Sequence, residues 1–176
     1  MDKAIYERLF TTRAYLVIQK SEELCQACKY ESITPLVLFV SMLIVEKDYL
    51  KEIFQISDLD YTRVCQKAEG KLANISRGVS NDYTFSEDSS KIITDVVNSK
   101  THHAATLVEL LRVLVSNEEI SELIDFKDLD IPEQNEEVLM FDPSSGTFKN
   151  GVSSYHDDIS RIDLAPFSGN IGEGFR

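Results

Sequence analysis

The chain has 176 residues, of which 30 are acidic and 18 are basic, so its formal net charge is −12. The length predicts one domain, or one domain with a tail, and the charge argues against nonspecific nucleic-acid binding, which depends on Lys and Arg. No apolar run is long enough to span a bilayer, and the charged first ten residues lack the apolar core of a signal peptide. Three cysteines, an odd number, fit a reducing compartment, so we expect a cytoplasmic protein that does not bind membranes.

The first helical patterns lie before residue 30. Residues 1–9 predict one or two helical turns with Ile5 and Leu9 on one side, and Thr11 or Thr12 can cap the helix that follows. Apolar or small residues then recur in steps of three and four, which is typical of an amphipathic helix. The predicted buried stripe of this helix comprises Ala14, Val17, Ile18, Ser21, Leu24, Cys25 and Cys28.

The segment from Thr34 to Glu46 predicts a helix buried on every side. Nine of the ten residues from Leu36 to Val45 are apolar, and only Ser41 interrupts them. Pro35 suits the first turn, where its missing N–H has no partner to lose, and Thr34 can cap the helix. Ten residues rise about 15 Å, half of what a bilayer requires, so this helix should form the core of a globular domain.

Two further helices are predicted before a loop. Tyr49, Leu50, Ile53 and Phe54 indicate a short third helix, and Asp58 or Asp60 can cap a fourth that runs to about Ser76. The segment from Arg77 to Tyr83 is predicted to be a loop because Gly, Ser, Asn and Asp cluster in it.

The helical pattern begins again after this loop. Phe85-Ser86 repeats Phe10-Thr11, and Thr106 with Glu109 forms a capping box that opens a second apolar helix. Leu38, Phe39 and Leu43 match Leu110, Leu111 and Val115, and Leu50, Ile53 and Phe54 match Ile120, Leu123 and Ile124. We therefore predict an all-α domain over residues 1–132, built from two copies of one helical unit at about 10–76 and 85–131. The copies should be related by a pseudo-twofold axis and pack together, since each has an apolar face to cover.

Residues 133–176 break the pattern. They hold five of the seven glycines, and eight acidic against three basic residues give them a net charge of −5. We expect an extended or partly disordered tail, with a hairpin of Val138 to Phe141 against Gly146 to Phe148 as the alternative for its first part. The apolar residues that suggest docking onto this domain or a partner are Leu139, Met140, Phe141, Leu164 and Phe167.

A duplicated helical unit with Phe-Thr or Phe-Ser starts and a Thr-led apolar helix resembles the Clp N-terminal domain. The resemblance covers Phe10 to Ile131 and implies a domain that receives substrates and adaptors for the Clp/ClpB family of AAA+ unfoldases. The family's buried helices usually open with Glu-His-Leu-Leu, but here those positions read Leu36-Val37-Leu38-Phe39 and Val108-Glu109-Leu110-Leu111. Because the Glu-His pair is missing from both copies, binding of phosphorylated arginine, known in some relatives, is not expected here.

Within the family, Leu24-Cys25, Tyr30-Glu31-Ser32-Ile33 and the second copy's Phe-Ser start look most like the ClpV branch. Those unfoldases recycle contracted sheaths of type VI secretion systems, and their N-domain holds an amphipathic helix of a sheath subunit in an apolar groove. The resemblance implies a corresponding partner-binding surface formed by Ile5, Tyr6, Leu9 and Phe10. The alternative interpretation of these four residues is a short helix that packs on the core.

No pattern in the sequence predicts catalysis, a metal site or a cofactor. No phosphate-binding G-x-x-x-x-G-K-[ST] occurs, so we expect no ATP binding. Cys25-x-x-Cys28 could be redox-active or metal-binding, but both cysteines fall on a buried stripe and are better explained as core residues. His102-His103 fits a solvated loop, since no further ligands converge on it in the sequence.

The expected function is therefore noncatalytic recognition of a helix or peptide of another protein, for example in type VI secretion sheath assembly or recycling. One alternative is a free-standing accessory that docks on a Clp unfoldase ring. Another is an assembly subunit that inserts its tail into a neighbour. The expected partners are accordingly a sheath subunit helix, a Clp-type unfoldase or an adaptor.

Overall fold

A computed structural model describes residues 3–78, 83–100, 103–123, 131, 141–142 and 147–148 of the chain. This part of the chain forms eight α-helices, which agrees with the all-α prediction. They are α1 (Lys3–Leu9), α2 (Thr12–Cys28), α3 (Pro35–Val45), α4 (Lys47–Ile56), α5 (Tyr61–Leu72), α6 (Glu87–Ser99), α7 (Leu107–Ser116) and α8 (Glu118–Ser121).

Polar side chains cap the N-termini of several helices at positions that the sequence predicts. Thr34 Oγ1 accepts a hydrogen bond from the Val37 N–H at 3.3 Å, which satisfies a donor that the first turn of α3 leaves without a helical partner. Thr106 and Glu109 form the predicted capping box of α7, with distances of 3.2 and 2.9 Å. Of the alternatives left open by the sequence, Thr11 caps α2 and Asp60 caps α5.

Helix α3 lies at the centre of the fold. Its residues from Pro35 to Ile44 are all buried, and the helix packs against α2, α4, α5, α6, α7 and α8. The one polar side chain in this run, Ser41, donates a hydrogen bond to the Val37 carbonyl at 2.7 Å, so it enters the core without an unsatisfied group. The prediction of a helix enclosed on every side is confirmed, and the physical reason is that no face of α3 is polar enough to meet water.

Two sets of backbone hydrogen bonds relate the halves symmetrically. Before α2, the Thr11 N–H donates to the Ala105 carbonyl at 2.9 Å, and the Ala105 N–H donates to the Leu9 carbonyl at 2.8 Å. Before α6, the Ser86 N–H donates to the Ile33 carbonyl at 3.0 Å, and the Ile33 N–H donates to the Thr84 carbonyl at 2.9 Å.

These two sets follow the repeat that the sequence predicts. The start of α2 matches the start of α6, and Ile33 before α3 matches Ala105 before α7. The start of the first helix in each copy is therefore hydrogen-bonded to the segment that precedes the second helix of the other copy. This reciprocal pairing is what a pseudo-twofold axis between two copies of one unit produces.

Helix α5 of the first copy reaches the second copy through its lysines. Lys67 Nζ donates to the Leu123 carbonyl at 3.4 Å, and Lys71 Nζ lies 3.1 Å from a carboxylate oxygen of Glu122. The helix ends at Leu72, four residues before the predicted Ser76, because a tighter turn follows in which the Ile75 N–H donates to the Leu72 carbonyl. Ile131 is half-buried against the core.

Two short strands, β1 (Phe141–Asp142) and β2 (Thr147–Phe148), pair antiparallel with Phe141 opposite Phe148. This pairing agrees with the predicted hairpin at Phe141 and at Thr147–Phe148, and Asp142 extends β1 one residue beyond the predicted strand. In the described part of the chain, no helix is long and apolar enough to cross a membrane.

Candidate partner-binding surface

Helix α1 lies against the junction between the two copies. The Phe10 N–H donates to the Tyr6 carbonyl at 3.1 Å, which completes the last turn of the helix, and Phe10 then pairs with Ala105 of the second copy. The position of α1 is therefore set by the residues that immediately follow it, and these belong to the reciprocal backbone pairing of the two halves.

The Tyr6 ring contacts an aromatic residue from each copy. Its centroid lies 5.5 Å from that of Phe85 in an edge-on arrangement and 6.4 Å from that of Phe10 in a tilted one. The edge-on arrangement is one that aromatic pairs prefer, and such a pair contributes about 0.5–1.5 kcal/mol beyond burial. Tyr6 thus attaches α1 to both halves of the domain.

The four N-terminal residues predicted to bind a partner differ in exposure. Ile5 is 45% exposed, Tyr6 and Leu9 are half-buried against the core, and Phe10 is 3% exposed. Phe10 is therefore a core residue in this structure and not part of the accessible surface. The remaining three form a small patch in which Ile5 is the apolar side chain that water reaches most.

A polar contact also holds α1 on α2. The Tyr15 hydroxyl interacts with the Glu7 carboxylate, and burial together with this negative charge raises the pKa of Tyr15 to about 12. The tyrosine is therefore neutral at every physiological pH and can donate a hydrogen bond to Glu7.

Ile56 is a second exposed isoleucine that the sequence did not single out. It is the last residue of α4 and is 62% exposed, whereas Tyr49, Leu50, Ile53 and Phe54 of the same helix are buried. Ile56 lies three residues after Ile53, so its spacing alone predicts burial. The helix ends there, and the chain turns through Asp58 at φ 60°, so among the described residues no neighbouring element covers Ile56 as Ile53 is covered.

The predicted tail contacts fall mostly outside the described residues. This holds for Leu139, Met140, Leu164 and Phe167, whereas the backbone of Phe141 is described and pairs with Phe148 in the hairpin. A role of these five residues in binding a partner therefore stays a prediction.

Cys25 and Cys28 are core residues, as the sequence indicated, and Cys65 is buried as well. Cys25 and Cys65 are 0% exposed and Cys28 is 6% exposed. Burial raises the pKa of Cys25 to about 12 and that of Cys65 to about 11, and it also raises the pKa of Cys28. The Cys25 thiol donates to the Ser32 carbonyl at 3.4 Å. Protonated, enclosed thiols are poor nucleophiles and poor metal ligands, so this C-x-x-C has the features of a packing motif.

A metal site does not form among the residues that the structure describes. No group of three or more His, Cys, Asp or Glu side chains converges there. His103 is exposed, and its neighbour His102 lies outside the described ranges.

Comparison with solved structures identifies the fold. The chain superposes on the Hsp104 N-terminal domain from Candida albicans with a TM-score of 0.60 and 16% sequence identity, over 69% of this chain and 81% of that one. The chain thus has a Clp N-domain-like fold.

A second match comes from a structure titled as a preliminary structural investigation of a malarial protein secretion system. Here the TM-score is 0.54 and the identity 12%, over 68% of this chain and 84% of that chain. At such identities the likeness concerns the fold and does not extend to function. No protein-family model matches the sequence, and no curated protein matches it either.

Proposed function

We propose that the chain is a noncatalytic protein-interaction module that acts in the cytoplasm and binds a helix of a partner protein alongside α1. The observation that carries this proposal is the exposure of Ile5, 45%, on a helix whose larger apolar residues, Tyr6 and Leu9, pack against the core. The Clp N-domain-like fold supports it, because that resemblance implies a receiver of other proteins.

The chemistry of the proposed surface suits an amphipathic helix. Ile5 and Leu9 are four residues apart on α1 and so lie on one side of it, with Tyr6 next to them. A partner helix placed beside α1 would cover Ile5 and the accessible edges of Tyr6 and Leu9. Burial of such side chains supplies most of the affinity when one helix docks against another.

The partner class that we propose first is the amphipathic helix of a type VI secretion sheath subunit, which the ClpV-like residues favour. The solved structure of a malarial protein secretion system shows that a similar fold occurs in a protein described in a secretion context. A Clp-type unfoldase ring is the second partner class, and it corresponds to an accessory role.

The experiment is a pulldown with the full chain as bait and a sheath subunit, a Clp-type unfoldase or a second copy of the chain as prey. Ile5→Asp places a charge in the proposed surface, and Ile56→Asp is the matched control because it makes the same change at an exposed isoleucine on another helix. We expect Ile5→Asp to weaken capture of the partner by at least about ten-fold, which corresponds to about 1.4 kcal/mol, and Ile56→Asp to leave it unchanged.

Each prey protein tests one of the three functional interpretations. Capture of the sheath subunit supports the proposed module, and capture of the unfoldase supports the accessory role. Capture of the second copy alone points to an assembly subunit. Equal binding by the wild-type chain and Ile5→Asp would rule out the α1 surface.

A further inference from the structure

The outward side of α5 carries positive charge, although the net charge of the chain is −12. The exposed residues of this helix are Thr62, Arg63, Gln66, Lys67 and Gly70. They include two basic side chains and no acidic one. Arg63 and Lys67 are four residues apart and so are neighbours on one side of the helix, and Lys71 continues this row at its edge.

The row of basic residues is unfavourable for α5 by itself. Like charges at a spacing of four repel each other on a helix surface, and both Arg63 with Lys67 and Lys67 with Lys71 are such pairs. Within the described ranges only Lys71 of this row has a carboxylate partner, Glu122 at 3.1 Å. Lys67 instead donates to the Leu123 carbonyl at 3.4 Å, which positions its ammonium group without neutralising it. Arg63 and Lys67 therefore present positive charge with which no described carboxylate pairs.

Gly70 lies on the same side of α5, three residues after Lys67. A Cβ built at Gly70 would have no described atom within 4 Å, so the packing of the domain does not require a glycine there. Glycine is among the least favourable residues in a helix interior, because it loses the most backbone freedom when the helix forms. It also lets another backbone come close, since the distance between two packed helices depends on the side chains at their contact.

We propose that the surface formed by Arg63, Lys67 and Gly70, the α5 face, is a docking site for an acidic helix of a partner protein. Two features that weaken α5 locally coincide on this face, and such departures from local stability are expected at functional sites. The charge specifies the occupant, since carboxylates pair with Arg and Lys. Carboxylates four residues apart on a partner helix are spaced by about 6 Å along its axis, which matches Arg63 and Lys67.

The α5 face is a second surface beside the one proposed at α1. Helix α1 packs against α2, whereas α5 packs against α3 and α4. Binding at α1 uses burial of apolar side chains, but binding at the α5 face uses charge and should weaken as the salt concentration rises. This inference therefore goes beyond the proposed function and does not depend on it.

The test measures binding of the full chain to a fluorescent, alanine-rich helical peptide with Glu at every fourth position, at low ionic strength. We expect the wild-type chain to bind this peptide and not to bind the same peptide with Gln in place of Glu. Lys67→Glu should weaken binding at least about three-fold, because exposed ion pairs are individually weak but the variant replaces attraction by repulsion. Arg63→Glu combined with Lys67→Glu should weaken it at least about ten-fold.

Lys91→Glu is the matched control. Lys91 is an exposed lysine on α6, and its replacement by Glu changes the net charge by the same amount as Lys67→Glu does. Lys91→Glu should leave peptide binding unchanged, as should Ile5→Asp in the α1 surface. Equal losses in Lys67→Glu and Lys91→Glu would overturn the proposal, because the peptide would then respond to net charge alone. The peptide assay does not involve the partner of the α1 surface, so failure of the pulldown and failure of this proposal are distinguishable.

Gly70→Ala separates docking from stability. Alanine favours the helix, so the variant should raise the urea midpoint of unfolding. The added methyl group should nevertheless weaken peptide binding at least about three-fold, because it keeps the partner backbone away. A more stable variant that binds the peptide as the wild-type chain does would overturn the close approach proposed at Gly70.

Other occupants of the α5 face would give distinct results. A carbodiimide cross-link between Lys67 and a carboxylate of residues 133–176 in the full chain would assign the face to the acidic tail of the chain itself. Self-association that Lys67→Glu abolishes would assign it to a second copy. Tighter binding of a single-stranded DNA oligonucleotide than of the peptide would assign it to nucleic acid. Each of these results would overturn the proposal of an acidic partner helix.

Discussion

Arg13 in the first turn of α2 and Glu46 at the end of α3 form a two-point ion pair. Arg13 Nε donates to Glu46 Oε1 at 3.0 Å, and its Nη2 contacts Oε2. Glu46 is 5% exposed, and the Arg13 guanidinium also lies over the Tyr49 ring, 5.3 Å from its centroid. The pair fastens the start of one helix to the junction between two others, α3 and α4.

This ion pair should be detectable in a double-mutant cycle. Arg13→Ala and Glu46→Ala should each lower the free energy of unfolding by roughly 2–3 kcal/mol, because each removes one member of the ion pair. The loss is smaller than for a fully buried pair because water reaches part of Arg13. The double variant should cost less than the sum of the two, by at least about 1 kcal/mol. Urea unfolding measures all four proteins, and strictly additive effects would mean that the pair contributes no coupling.

The two copies should respond alike to equivalent truncations in their apolar helices. Leu38 and Leu110 are both 0% exposed and occupy matching positions of α3 and α7. Each change to alanine should lower the free energy of unfolding by about 2–5 kcal/mol, since it removes buried methyl groups and leaves a cavity. Ile56→Ala is the control, with an expected effect within about 0.5 kcal/mol because this side chain is 62% exposed.

The buried thiols should react only when the domain opens. Cys25 and Cys65 are enclosed, and burial raises the pKa of each well above 9.0, so the reactive thiolate is scarce at neutral pH. We expect labelling by a disulfide reagent at pH 7.5 to be at least about 100-fold slower in the native protein than in the urea-unfolded chain. Fast labelling of one thiol in the native state would show that its helix opens locally.

Alkaline pH should destabilise the domain through the same thiols. In the unfolded chain they ionise near pH 9.0, whereas in the native protein the pKa values are about 12 for Cys25 and about 11 for Cys65. The unfolded state therefore binds fewer protons between pH 9 and 11, and the stability falls as pH rises, by up to about 1.4 kcal/mol per pH unit for each thiol. Urea midpoints from pH 8 to 11 measure this slope, and Cys65→Ala should make it shallower. A slope unchanged by Cys65→Ala would assign the effect to other groups.

Deletion of residues 133–176 tests the proposed division into a helical domain and a tail. Ile131 packs against the core, so truncation after residue 132 keeps the last described core contact. We expect the helical signal of the truncated chain to be unchanged and its Tm to shift by less than about 2 °C, while capture of one partner weakens. Unfolding of the truncated chain would assign the tail to the core, and unchanged capture would make the tail a tether only.

The sequence by itself determined the all-α fold, the caps at Thr34 and Thr106, and the duplication. These features depend on local chemistry: a Thr or Asp that bonds the first-turn N–H groups, and apolar residues spaced at three and four. The segment from Leu36 to Val45 is apolar except for Ser41, which predicts a helix at the centre of the core, and the structure has it there.

The tertiary structure decided which of the patterned residues meet each other and which meet water. The Arg13–Glu46 pair joins residues 33 positions apart, and no local sequence pattern predicts such a contact. Spacing treats Ile53 and Ile56 alike, but one is enclosed and the other is 62% exposed because the chain turns away after α4. In the same way, Phe10 is a core residue, and Tyr6 contacts an aromatic residue of each copy. Neither could be predicted locally, because burial depends on which distant parts of the chain pack against a residue.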